Sequence, residues 1–66
     1  MNRHQVKDVI ELGSGEKYVV ETVHDFDDIR SMEAAKVLTD GTISEHYFAT
    51  LAERDGETKI VRRYRV

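Results

Sequence analysis

Apolar and polar positions alternate in short runs along most of this chain, and glycine-containing breaks separate the runs. "VIELGSGEKYVVETV" sets an apolar run before Gly13–Gly15 and a β-branched run headed by Tyr18, Val19 and Val20 after it. Two such runs around a glycine-rich break predict a β-hairpin. "ERDGET" places Asp55-Gly56 between "ISEHYFATLA" and "TKIVRRYRV". Asp-Gly suits a type I′ turn, which needs positive φ at both central positions and twists with its strands. Asp40-Gly41, between "MEAAKVLT" and "TISEHYF", predicts a further turn of the same kind. Proline is absent, so nothing of that kind interrupts a strand ladder or a helix.

The middle of the chain supports two readings. In the first, a loop over residues 25–31 leads into a strand over 32–39, with Met32, Ala34 and Leu38 on one face and Ala35 and Val37 on the other. In the second, residues 26–38 form a helix capped by Asp25 or Asp27, with Gly41 just past its end. The helical apolar stripe is thin, because Lys36 continues the face that Ile29 and Met32 begin. The strand reading yields five strands near 5–12, 16–24, 32–39, 42–53 and 57–66. The predicted fold is therefore all-β, a small five-stranded antiparallel barrel or strongly bent sheet in one domain spanning 1–66. The helical alternative is an α+β fold of ββαββ order.

The Asp-Gly turn fixes a register for the last hairpin, and register decides which side chains share a face. Pairing Arg54 with Glu57 sets Leu51 opposite Ile60, Ala49 opposite Arg62 and Tyr47 opposite Tyr64, an apolar face predicted to pack on the core. The other face then gathers Ala52 with Lys59, Thr50 with Val61, Phe48 with Arg63 and His46 with Arg65. His46, Phe48, Lys59, Val61, Arg63 and Arg65 are accordingly the candidate partner-binding residues. Cations interleaved with an aromatic ring on a sheet surface suit base stacking and phosphate contact. They also suit an ordinary role, in which the basic strand is neutralised inside the sheet by Asp8, Glu11 or Glu21, or guards an edge.

Charge sharpens the contrast. Of 10 Lys/Arg and 13 Asp/Glu, residues 1–57 hold six and thirteen, a net of −7, and residues 58–66 hold four and none, a net of +4, which together give −3. An acidic body repels anionic partners at long range while a cationic strip attracts them at contact.

With 66 residues, the chain builds a small core and offers little depth for a catalytic pocket. Cysteine is absent, so no disulfide or thiolate metal site supplements that core. His4, His24 and His46 show no ligand spacing. "HDFDD" clusters His24 with Asp25, Asp27 and Asp28, but it lacks an EF-hand pattern, and Asp at a turn has a local hydrogen-bonding role. "GSG" lacks the further glycines or the Lys-Ser/Thr pair of a phosphate loop. Ser14, Ser31 and Ser44 show no activating partner. These features predict no enzyme, no cofactor and no metal. No segment is apolar enough to cross a bilayer and none has the form of a secretory signal, which predicts a cytoplasmic location and no membrane partner.

The Gly-x-x-Tyr-Val-Val hairpin (Gly15, Tyr18, Val19, Val20) and the late Asp-Gly hairpin resemble those of short, acidic, mostly β proteins of Gram-positive bacteria and their phages. The resemblance implies a small accessory or structural component, and the basic "RRYR" end departs from its acidic pattern. Two functions follow as expectations. The first is a non-enzymatic protein-interaction or assembly module, with Phe48 and Val61 buried in a homo-oligomer or against a protein partner. The alternative is a single-stranded nucleic-acid-binding accessory protein using the basic C-terminal strand.

Overall fold

The computed structural model describes residues 4–66. Five strands, β1 (Val9–Glu11), β2 (Lys17–Phe26), β3 (Ile29–Val37), β4 (Ile43–Arg54) and β5 (Glu57–Arg65), pair in sequence order as one antiparallel sheet. The sheet curls strongly into a half-barrel without closing, and no helix occurs among the described residues. The all-β expectation holds, in its bent-sheet form. No helix among the described residues is long and apolar enough to cross a membrane.

Turn chemistry explains the connections. Asp55 and Gly56 both have positive φ, 53° and 80°, as a two-residue type I′ turn demands, and Arg54 pairs with Glu57 across it. The Asp40-Gly41 connection departs from that form. Leu38 N donates to Thr42 O at 2.7 Å around a three-residue loop in which Gly41, at φ 87°, takes the left-handed position. Asp40 Oδ1 caps this loop by accepting from Thr42 N at 3.0 Å and Thr42 Oγ1 at 2.6 Å.

The loop expected over 25–31 does not exist. β2 and β3 continue to a tight turn at Asp27 and Asp28, with Phe26 opposite Ile29 and Asp25 opposite Arg30. Asp has little preference for strands, but here Arg30 Nε donates to Asp25 Oδ1 at 2.7 Å and Nη2 to Oδ2 at 2.9 Å. That bidentate cross-strand pair offsets the weak propensity. β1 is also shorter than expected, because Lys7 takes φ 79° and residues 6 and 7 form a turn before the strand.

The inner face of the half-barrel carries the core: Ile10, Tyr18, Val20, Met32, Ala34, Ala49 and Leu51 are buried, with Leu12, Val23 and Ile60 packed against them. Met32 and Ala34 thus face the core and Ala35 and Val37 face outward, as the alternation predicts.

The register of β4 against β5 holds from Arg54–Glu57 to Leu51–Ile60 and then slips by one residue at a bulge between Thr50 and Leu51. Val61 is the extra residue. Beyond it Thr50 faces Arg62, Ala49 faces Arg63, Phe48 faces Tyr64 and Tyr47 faces Arg65, so all five expected pairs there, including His46 with Arg65, are replaced. A one-residue slip exchanges faces, which turns Arg63 and Arg65 inward and Arg62 and Tyr64 outward.

A core this small tolerates little loss. At about 0.05–0.15 kcal/mol per residue, a domain of 66 residues is stable by about 3–10 kcal/mol. Leu51 is fully buried, and Leu51→Ala is expected to cost about 2–5 kcal/mol. A denaturation midpoint unchanged from wild type would show that Leu51 is not part of a close-packed core.

Candidate binding surface on the β4–β5 rim

Two irregularities build the surface. One is the Val61 bulge. The other lies on β4, where the step from Ile43 to Phe48 opposes only the step from Val37 to Ala35 on β3. The surplus β4 residues are held by Ser44, which is buried and whose Oγ accepts from His46 N at 3.1 Å and Tyr47 N at 3.0 Å. A serine hydroxyl that satisfies nearby backbone donors stabilises such a departure from the ladder.

Between these irregularities lies an open cleft of about 310 Å³, lined by Tyr18, Lys36, Tyr47, Arg63 and Arg65. Phe48 and Tyr64 also border it, although strand alternation directs their rings toward the outer face. Tyr47 is 45% exposed, and the Arg65 guanidinium carbon sits 5.2 Å from its ring centre. Among the described residues, neither Lys36 nor Arg65 has a carboxylate within ion-pair distance.

Arg63 is committed elsewhere. Its Nη2 donates to Glu16 Oε1 at 2.6 Å and its Nε to Glu16 Oε2 at 3.0 Å, joining β5 to the β1–β2 connection. Glu16 also accepts from Ser14 Oγ at 2.8 Å and Tyr18 Oη at 2.8 Å. These donors, Arg63 foremost and then Ser14 and Tyr18, lower the Glu16 pKa to about 2. Burial, then the bond to Glu16, pushes the Tyr18 phenol up. The expected neutralisation of the basic strand is thus real for Arg63, but its partner is Glu16 rather than Asp8, Glu11 or Glu21.

On the outer face Phe48 stacks on Tyr64 with ring centres 5.6 Å apart, and Arg62 lies over Tyr64 at 4.6 Å. Tyr64 Oη donates to Glu33 Oε1 at 2.7 Å, and Thr50 Oγ1 donates to the same carboxylate. The bond to Glu33 raises the Tyr64 pKa. Phe48 is therefore only partly exposed, covered by a ring of its own hairpin.

The six expected site residues do not share a face. Arg63 and Arg65 meet at the cleft, Phe48 borders it from the outer side, and Lys59 lies on the outer face near the Asp55-Gly56 turn, 4.0 Å from Glu57. Val61 stands 63% exposed at the bulge. His46 is beside the chain end, where Val66 N donates to His46 O at 2.8 Å. Sequence reasoning missed Lys36, Tyr47 and Tyr18 as neighbours of the cationic strand. Lys36 carried a usable signal, since it interrupts an otherwise apolar inner-face series.

At the other end of the half-barrel, His4 N donates to Glu53 Oε1 at 3.3 Å and Arg30 Nη1 donates to His4 O at 2.7 Å. His4 Nδ1 lies 3.2 Å from Glu53 Oε2, outside hydrogen-bond alignment. Arg54 pairs with Asp28 at 3.2 Å. The acids of "HDFDD" serve turns and ion pairs there, and no cluster of three metal-ligating side chains occurs among the described residues. In comparison with known proteins, no family model, curated protein or solved structure matches the chain.

The Glu16 environment has a consequence for acid stability. A carboxylate whose folded pKa is lowered stabilises the fold above its unfolded value near 4.5, and that contribution is lost as pH falls toward about 2. Glu16→Gln should therefore lower stability at neutral pH and flatten the decline between about pH 4.5 and 2. Denaturant unfolding across that range checks this; parallel wild-type and variant curves would show that Glu16 is not held by Arg63.

Proposed function

We propose that the chain is a non-enzymatic interaction module that holds an anionic, extended partner along the β4–β5 rim. The observation that carries this reading is the cleft itself, where Arg65 lies over the half-exposed Tyr47 ring and Lys36 lines the same cleft, both cations lacking a carboxylate at ion-pair distance among the described residues. Cations left without a partner at a concave surface attract anions at contact, at lower desolvation cost than cations already paired.

Charge sorting supports the location. Residues 23–32 and 51–60, which flank the Asp27-Asp28 and Asp55-Gly56 turns, hold six acids and three Lys/Arg, a net of −3. An anionic chain is repelled from that end and is left the opposite end, where Lys36 and Arg65 lie. The role proposed is that of a small accessory component.

A charge-reversal series tests the location. Wild type should be retained on immobilised polyglutamate at low salt and released as salt rises, whereas Lys36→Glu, Arg65→Glu should not be retained. A control that changes net charge equally, Lys7→Glu, Arg54→Glu, should keep most of the retention. Equal loss in both double variants would place the effect in net charge and overturn the rim as the site.

Self-association is a second reading, favoured by a different observation. The outer edge of β5 has no strand beside it among the described residues, and Val61 is exposed on it at the bulge. Unpaired edges and exposed apolar side chains are used in strand-to-strand contacts. Light scattering coupled to gel filtration should then show a wild-type mass above that of the monomer and a monomeric Val61→Asp variant. A monomeric wild type at high concentration removes this reading.

A further inference from the structure

We infer that the partner unit taken by the cleft is a nucleotide, with its base stacked on the Arg65–Tyr47 platform and its phosphate held by Lys36 and Arg65. The inference rests on the rim being an anion-binding surface, and it adds the chemical class of the anion.

Three observations distinguish a nucleotide from a carboxylate chain. A carboxylate needs only a cation, whereas this cleft also presents a flat surface: the Tyr47 ring is 45% exposed, and a guanidinium lies 5.2 Å from its centre. Rings and guanidinium planes are the groups on which unpaired bases stack, irrespective of sequence. Secondly, the cations are placed beside the platform rather than spread along the strand. Arg65 is opposite Tyr47, and Lys36 lines the same cleft from β3. This matches a ligand that carries its charge next to a planar group. Thirdly, the volume of about 310 Å³ lies at the low end of small-molecule sites, a size for one ligand unit at a time.

Arg63 has a positioning part. Glu16 accepts from the Nε–Nη2 edge of its guanidinium and offsets its charge, so Arg63 contributes little free charge, but it fixes the wall of the cleft against Tyr18. The available cations are therefore two, Lys36 and Arg65. The two cations share one phosphate, and each phosphate neutralised on a single strand contributes about 0.7 to the salt slope, so the logarithm of the binding constant should fall with log salt at a slope of about −0.7. This shallow slope separates the site from a broad basic patch.

The same chemistry is offered by a free mononucleotide and by a residue within a single strand, and the experiment separates them. Fluorescence anisotropy of a labelled oligothymidylate measures direct binding, with thymidine monophosphate and polyglutamate as competitors. The expected result is oligothymidylate binding, displacement by thymidine monophosphate, weaker displacement by polyglutamate at equal charge, and a loss of at least about fivefold on Tyr47→Ala. Displacement by the mononucleotide at concentrations near those of the oligonucleotide identifies a free nucleotide as the ligand, and much weaker displacement identifies a strand. Polyglutamate as effective as oligothymidylate, with Tyr47→Ala unchanged, overturns the nucleotide while leaving the anion-binding rim intact. No binding by any of the three anions at low salt overturns both. Thermal unfolding of Tyr47→Ala, at an exposed position, confirms that a lost signal is not lost folding.

Discussion

The bulge at Val61 is the constraint on which the rim of this protein depends. Without it, regular alternation from the Asp55-Gly56 turn carries Arg62 and Tyr64 to the inner face and leaves Arg63 and Arg65 outside. With it, Arg63 turns inward to meet Glu16 on a connection 47 residues earlier, and Tyr64 turns outward to cover Phe48. One extra residue thus converts a basic strand with an isolated aromatic into two organised layers. Bulges also bend the strand that carries them, which suits a sheet that curls without closing.

Stability follows the same division. The main core is an inner layer of small and medium side chains, Tyr18 and Met32 being the largest, with Val19 and Ala35 buried on the opposite face, and it is open on the side where a closed barrel would supply the remaining strands. Ion pairs bind the two ends of the curl, Arg63 with Glu16 at one and Arg30 with Asp25 at the other. Exposed pairs contribute little individually, but both are bidentate arginine–carboxylate contacts, the geometry in which such pairs hold an orientation. Arg63 with Glu16 ties β5 to the β1–β2 connection, and Arg30 with Asp25 ties β2 to β3 beside their turn. The core supplies most of the free energy.

Much of the fold was legible because turn residues carry backbone requirements that few others meet. Asp55-Gly56 specified both the turn type and four correct pairs, and the alternation of Met32, Ala34, Ala35 and Val37 gave their faces. The candidate binding surface was less legible, for a physical reason. A bulge reverses every face beyond it, and nothing in "TKIVRRYRV" marks Val61 as the extra residue when each strand is read alone. The inward position of Arg63 is decided by Glu16, which no local pattern connects to it. Residues 25–31 failed similarly: acids that look like a loop in isolation become a strand once Asp25 has Arg30 opposite.

The arrangement also reconciles an acidic protein with a cationic site. Long-range attraction follows net charge, which at −3 disfavours approach by any polyanion. Contact energy follows local charge, and here six of the 13 acids flank two turns at one end while Lys36 and Arg65, with no carboxylate at ion-pair distance among the described residues, line a cleft at the other. On the proposed function, such a surface favours selection by shape over rapid capture, because its net charge does not draw polyanions from a distance. A uniformly basic domain of the same size has the opposite behaviour, rapid capture with little selection. On the same proposal, the acidic body serves selectivity, because it disfavours the nonspecific approach of polyanions that cations on a sheet surface otherwise bring.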